Sequence, residues 1–222
     1  PKPQNPDDMI IILIIKQMKP STYDKRLYAI DDYKKLADTR FFKHADDYFN
    51  SGADAELSLN EQYEAFRDIK LVQRCCTDAS KFENTETEFM GTKISSPICV
   101  TSTAFQRMAT PDGEVATARA CNVTKTPLVL SSWATSSNED VGAAAPDSLK
   151  VYQIYMSKIM DVNKDIWKRV KGAGFKALAL TCDTQLLGKR LENERVGFSL
   201  PPHLKMQNFA KYTGEETKLK GG

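Results

Sequence analysis

The sequence predicts an α/β chain whose core is four β/α units of a TIM-type (β/α) barrel, preceded by a helical segment. Two patterns and one absence carry that prediction. Four strand–helix steps recur at roughly 23 to 31 residues, the rhythm of a parallel sheet joined by crossover helices. Each strand ends in hydroxyls or amides: Thr101 to Thr103, Ser131 to Ser137, Gln153 with Tyr155, and Thr181 with Asp183. Four polar strand ends in succession describe one rim, as at the carboxyl face of a barrel. No GxGxxG turn follows an early strand, as a doubly wound dinucleotide-binding sheet would favour.

Taken in order, residues 1–29 are irregular, with Pro1, Pro3, Pro6 and Pro20 interrupting any period. The apolar run Met9 to Ile15 is far shorter than the ~20 residues that span a bilayer, and no basic stretch precedes it as in a signal peptide. It reads as a packed strand or helix segment. A start at Pro1 rather than Met points to a processed or incomplete chain. A helix is expected from near Asp31, with acids at its positive end, and a second from Phe41 to Phe49, broken at Ser51-Gly52-Ala53-Asp54. Leu57 to Phe66 reads as a third, with Leu59, Tyr63 and Phe66 sharing a face expected to pack in a core.

From Lys93 the pattern changes. Ile94 to Val100 reads as a strand, and Pro111-Asp112-Gly113-Glu114 opens a helix to about Asn122, its proline and acids suiting a helix start. Leu128 to Leu130 is a second strand, followed by a short helix capped by Asn138. Val151 to Tyr155 is a third. Asp161 to Ala173 is an amphipathic helix with Ile166 and Val170 inward, closed by Gly172 and Gly174. Ala177 to Thr181 reads as a fourth, buried strand. The expected division is 1–92 as a helical and irregular extension packing on the barrel, 93–190 as the half-barrel, and 191–222 as a loop segment after the fourth strand.

Composition narrows the function. With 31 basic against 29 acidic residues the net charge is +2, and no basic patch interleaves with aromatics, which argues against nucleic acid. Cys75, Cys76, Cys99, Cys121 and Cys182 form an odd set without CxxC spacing, and two histidines leave no zinc pattern, so reduced thiols and no metal are expected. No stretch calls for a membrane.

The rim segments together resemble the FMN-dependent α-hydroxy-acid oxidases, the family of glycolate oxidase and lactate oxidase, over its N-terminal half. The resemblance runs from about Asp47 to Phe209. It rests on Pro97-Ile98-Cys99-Val100 with Thr103 to Ala109, Asp112-Gly113-Glu114, Ala116 to Ala120, Leu130 to Ser137, and Gln153-Ile154-Tyr155. Leu187-Gly188 with Arg190, Leu200-Pro201-Pro202 and Asn208-Phe209 complete it. It implies FMN as cofactor, a small (S)-2-hydroxy acid and oxygen as substrates, a 2-oxo acid and hydrogen peroxide as products, a homo-oligomer in full-length members, and a peroxisomal location, although Lys220-Gly221-Gly222 is not a peroxisomal tail.

Carried over by resemblance, the backbone at Thr103 and Ala104 would lie against the flavin, and Ser131, Gln153 and Thr181 would bond its polar edge. Tyr155 would be the catalytic residue of this half, beside the substrate hydroxyl or carboxylate. Arg190 would clamp the carboxylate through a bidentate pair, with Trp133 and Leu187 lining the pocket. Taken alone, Ser131 and Thr181 read as turn or capping hydroxyls, Tyr155 as a half-buried aromatic and Arg190 as a solvated cation. Asp183 reads as a turn residue, and His44 and His203 as loop or surface residues.

The chain departs from the family pattern in several places. Asp46 falls where a carboxylate-binding tyrosine is expected, Gln185 replaces a proline, and Val196-Gly197-Phe198 stands for Asn-Arg-Phe. Lys125 takes a helix-end position usually given to Gly. Four strands are expected where a barrel takes eight in ~250 residues, and neither histidine matches the family's proton-taking base. The alternative expectation is therefore a truncated relative that is inactive or needs a partner.

Overall fold

The computed structural model describes residues 27–184 and 186–212. The chain forms two compact units, the first ending at Asn50 and the second starting at Ser51. The first holds α1 (Ile30–Asp38) and α2 (Lys43–Asn50). The Asp32 carboxylate in the first turn of α1 accepts from the backbone N–H groups of Tyr28 and Ala29 at 2.9 and 3.0 Å, and these bonds hold its pKa below the ordinary value. Asn50 closes α2 onto α1 by donating to Asp38 at 3.0 Å.

The second unit opens with α3 (Leu57–Asp68). Its expected core face is not covered by the described residues: Tyr63 is 67% and Phe66 80% exposed, while Leu59 is half-buried. The helix is therefore where its period puts it, but its apolar stripe is left open by the described residues. A hairpin follows, β1 (Thr87–Phe89) against β2 (Thr92–Ile94), turning through Met90 and Gly91, both left-handed as a two-residue turn of this kind requires.

The strand expected from Ile94 to Val100 does not form. Ile94 closes the hairpin, and beyond it a single parallel bridge joins Val100 to Leu128. Pro97 supplies no N–H to a ladder, which accounts for the interruption. The remaining rhythm matches the expectation. Helix α4 (Gly113–Thr124) leads to β3 (Leu128–Leu130), α5 (Asn138–Ala144), β4 (Lys150–Ile154), α6 (Met160–Gly172) and β5 (Ala177–Leu180). The three strands pair in parallel in the order β3-β4-β5, with Val129 opposite Val151 and Tyr152 opposite Leu178. Helix α7 (Leu191–Val196) and a 3-10 turn at Gln207–Phe209 complete the described chain.

One core lies between this sheet and its helices. Leu128, Leu130, Tyr152 and Ile154 face Ala118 and Cys121 of α4, Val141 of α5, and Val162, Ile166 and Val170 of α6, with Phe175 and Phe209 closing it. The i, i+4, i+8 spacing of the α6 residues places them on one stripe. Lys150 is buried with them; its ammonium donates to the carbonyls of Ala145 and Ser148, and burial lowers its pKa. Gly142 lets α5 meet the end of α6, since a β-carbon there would lie 2.4 Å from the Ala173 carbonyl oxygen.

Two local expectations change. The α5 cap is Ser137, whose Oγ accepts from the Asp140 N–H at 3.0 Å, while Asn138 is the first helical residue. The fourth strand is an edge, with Leu178 45% and Leu180 55% exposed, rather than the buried strand its apolar run suggests. Lys125 does adopt the left-handed geometry of its position, at φ 53°.

Candidate functional site at the strand ends

The carboxyl ends of β3, β4 and β5 lie side by side, because the parallel register stacks Leu130, Tyr152 and Leu178 in one row. The residues that follow each strand therefore meet. Gln153 links all three: its Oε1 accepts from the Ser132 N–H at 3.1 Å, and its Nε2 donates to Thr181 Oγ1 at 2.7 Å. Ser131 Oγ accepts from the Trp133 N–H at 3.1 Å, fixing the turn that carries the indole. Ser131 and Gln153 are buried, and Thr181 is half-buried.

Above them sits an aromatic group. Trp133 stacks on Phe105 at 5.9 Å with 15° between planes, and packs against Tyr155 at 5.2 Å. Phe105 also meets Phe198 at 6.4 Å. The Trp133 Nε1–H is buried and meets no acceptor among the described residues, so a donor is held ready beside the strand ends. Two residues beyond Tyr155, the Ser157 N–H donates to Asn163 of α6 and the Ser157 carbonyl accepts from it, both at 2.9 Å, which ties the loop after β4 to α6.

The structure thus brings together Ser131, Gln153, Thr181, Trp133 and Tyr155. Ala104 is buried next to Phe105, and Thr103 is exposed, its carbonyl accepting from Gln106 Nε2 at 3.2 Å. Arg190 is half-buried at the start of α7, where its carbonyl accepts from the Glu194 N–H. Leu187 is 61% exposed, so the described residues do not enclose it as a pocket wall. Asp46 belongs to α2 and accepts from Asn50 at 2.6 Å. His203 is an exposed loop residue, and all five cysteines are free thiols, with only Cys121 buried. Among the described residues no cluster suited to a metal occurs, and no helix is long and apolar enough to cross a membrane.

Sequence reasoning missed the carboxylate beneath this site. Glu114, read as a helix-start acid, is 1% exposed and binds the Gln106, Thr135 and Ser136 segments. It also missed Asn208, buried, whose Oδ1 accepts from the Asn138 N–H at 2.9 Å. Neither carries a local signal, because their partners Thr135, Ser136 and Asn138 lie 21 to 70 residues away in the sequence.

A parallel sheet with helices packed on it and a polar rim at its strand ends is the architecture of part of a (β/α) barrel, a class of protein whose sites lie at the carboxyl face. Comparison with known proteins fixes the family. The FMN-dependent dehydrogenase family model matches residues 37–221, and the chain belongs to that family. It is 42% identical to human 2-hydroxyacid oxidase 1 over 85% of this chain and 50% of that protein. It is 46% identical to maize glycolate oxidase 1 over 80% of this chain and 48% of that one. The solved structure of a soluble mutant of the membrane-associated (S)-mandelate dehydrogenase from Pseudomonas putida superposes with a TM-score of 0.78 at 26% identity, covering 85% of this chain and 53% of that one. The chain spans about half the length of the curated relatives it matches.

The family's cofactor is FMN, and the residues present suit it. Two hydroxyls, a carboxamide and the open indole N–H form a mixed donor and acceptor set at three adjacent strand ends, the chemistry that the polar edge of a flat heterocycle calls for.

Proposed function

We propose that this chain carries the flavin-edge and substrate-facing side of an FMN-dependent oxidase acting on a small (S)-2-hydroxy acid. The observation that carries the reading is the Ser132–Gln153–Thr181 chain of hydrogen bonds joining three strand ends beneath the Trp133–Tyr155 pair. Ser131, Gln153, Thr181 and the backbone at Thr103 and Ala104 hold the ring. When bound, FMN supplies the electron acceptor for a two-electron oxidation, with oxygen finally reduced to hydrogen peroxide.

The chain's own residues bind and orient. Arg190 pairs with the substrate carboxylate through its planar fork, and Tyr155 donates to the carboxylate or the reacting hydroxyl. Trp133 limits the substrate side chain, so glycolate and lactate are the expected sizes. Residues 93–190 act as the half-barrel that holds these groups, residues 1–92 as an extension, and 191–222 as the segment after the fourth strand. The reading extends to a peroxisomal compartment and a homo-oligomer, tested by imaging a tagged chain and by light scattering.

Purifying the full chain, recording its flavin absorbance, and measuring glycolate- and lactate-dependent peroxide tests the proposal. Bound FMN with peroxide formation supports it. A folded, colourless and inactive protein favours a second reading, a non-catalytic relative, motivated by Asp46 at the expected tyrosine position and by the 61% exposure of Leu187.

A further inference from the structure

We propose that Glu114 is a positioning residue: its buried carboxylate holds the turn at residues 103–107 in register with the end of β3, and so shapes the face offered to the flavin. The inference rests on the FMN reading above. Three elements meet on this one side chain. Its Oε1 accepts from the Gln106 N–H at 3.0 Å and from the Thr135 N–H at 2.9 Å. Its Oε2 accepts from Ser136 Oγ at 2.7 Å, and the Thr135 hydroxyl lies 3.0 Å from both carboxylate oxygens. Thr135 Oγ1 in turn accepts from the Arg107 N–H at 3.0 Å, so the turn and the strand end are tied twice.

The geometry held there is one the backbone would not choose. Phe105 sits at φ 60°, a left-handed conformation that a bulky L residue avoids. Its ring lies flat on Trp133, and the next residue's N–H is the one Glu114 accepts. Gln106 adds a second brace, accepting from Thr117 Oγ1 at 2.7 Å while donating to the Thr103 carbonyl. Helix α4 is pressed onto the turn: a β-carbon at Gly113, at φ 49°, would lie 2.5 Å from Arg107 Cγ. A carboxylate in the first turn of its helix, with all these donors around it and 1% exposed, is a fixed anchor rather than a generic helix-start acid. A neutral amide cannot accept every one of these bonds, because its nitrogen only donates.

The test uses the full 222-residue chain and FMN itself as the probe, read by quenching of flavin fluorescence and by the visible band of the bound flavin. E114Q and T135V are expected to weaken FMN binding at least tenfold and to move that band. T135S, which keeps the hydroxyl, is expected to restore both. I166V, a core change in α6, serves as a control with a lowered urea midpoint but unaltered FMN affinity. E114Q with native affinity and spectrum overturns the proposal, as does I166V weakening FMN as much as E114Q. Should E114Q fail to fold, the T135V and T135S pair decides by the same two readouts. A native chain that takes up no FMN overturns the functional reading and this proposal together; a native chain that binds it equally with E114Q overturns this proposal alone.

Discussion

Gln153 Nε2 donates to Thr181 Oγ1 at 2.7 Å, adding a side-chain link between the ends of β4 and β5 beside the last backbone bond, from the Thr181 N–H to the Ile154 carbonyl at 3.1 Å. The same amide accepts from the fully buried Ser132 through its N–H. Replacing it by an apolar side chain of similar volume leaves that N–H unsatisfied. Q153L should therefore lose roughly 1–3 kcal/mol of stability in urea unfolding. It should also lose FMN affinity beyond what that destabilisation explains, measured by fluorescence titration of the folded variant.

Arg190 and Lys189 differ in what they can recognise. A guanidinium matches a carboxylate with two parallel bonds, and an ammonium matches it with one. R190K should reduce kcat/KM for a 2-hydroxy acid by about tenfold to a hundredfold, roughly 1.4–2.7 kcal/mol, chiefly through KM. An unchanged KM would remove Arg190 from the substrate site.

Glu139 meets Arg169 through two bonds, at 2.8 and 3.0 Å, and Arg169 also donates to the Asn208 carbonyl at 3.0 Å. Bonding to Arg169 holds the Glu139 pKa below its ordinary 4.5, against a smaller desolvation effect. A carboxylate with a depressed folded pKa adds stability that is complete above its unfolded value and disappears as pH falls through the folded one. E139Q should consequently show a shallower loss of stability below about pH 4.5 than the native chain. Urea midpoints across the acid range check this; parallel curves for the two proteins would exclude the linkage.

Leu178 and Leu180 stand exposed on the edge strand β5. An apolar side-chain row beside unpaired backbone groups favours association between chains. L178K should lower concentration-dependent light scattering and binding of a hydrophobic dye, with the folded signal in circular dichroism retained.

Much of this architecture was legible from residue pattern. The spacing of Val162, Ile166 and Val170 and the polar endings after Leu130, Ile154 and Leu180 were enough to place helices and strand ends. Side-chain period fails where the deciding factor is a partner distant in sequence. Tyr63 and Phe66 have the spacing of a core face and are left exposed by the described residues. Ile94 to Val100 has strand composition, yet Pro97 and the Met90-Gly91 turn divert it into a hairpin and a single bridge. Glu114 looked like a helix-start acid because nothing local announces that Thr135 and Ser136 will surround it. The candidate site residues were proposed through their joint pattern with a known family, while the buried polar links made by Glu114, Asn163 and Asn208 depend on folded geometry.

The close seating of Gly142 against Ala173 has a bearing on the opposite end of the same short helix. Helix α5 spans seven residues and so about 10 Å, with its Ser137 cap leading straight back into the strand-end loop. Since its far end abuts backbone rather than a flexible side chain, α5 works as a strut with no slack. Enlarging residue 142, as in G142A, would push that strut forward and shift the Trp133 loop without touching any residue at the rim. The loop at the strand ends is thereby open to adjustment from the outer helical layer, through the length and seating of α5, with every rim residue left as it is.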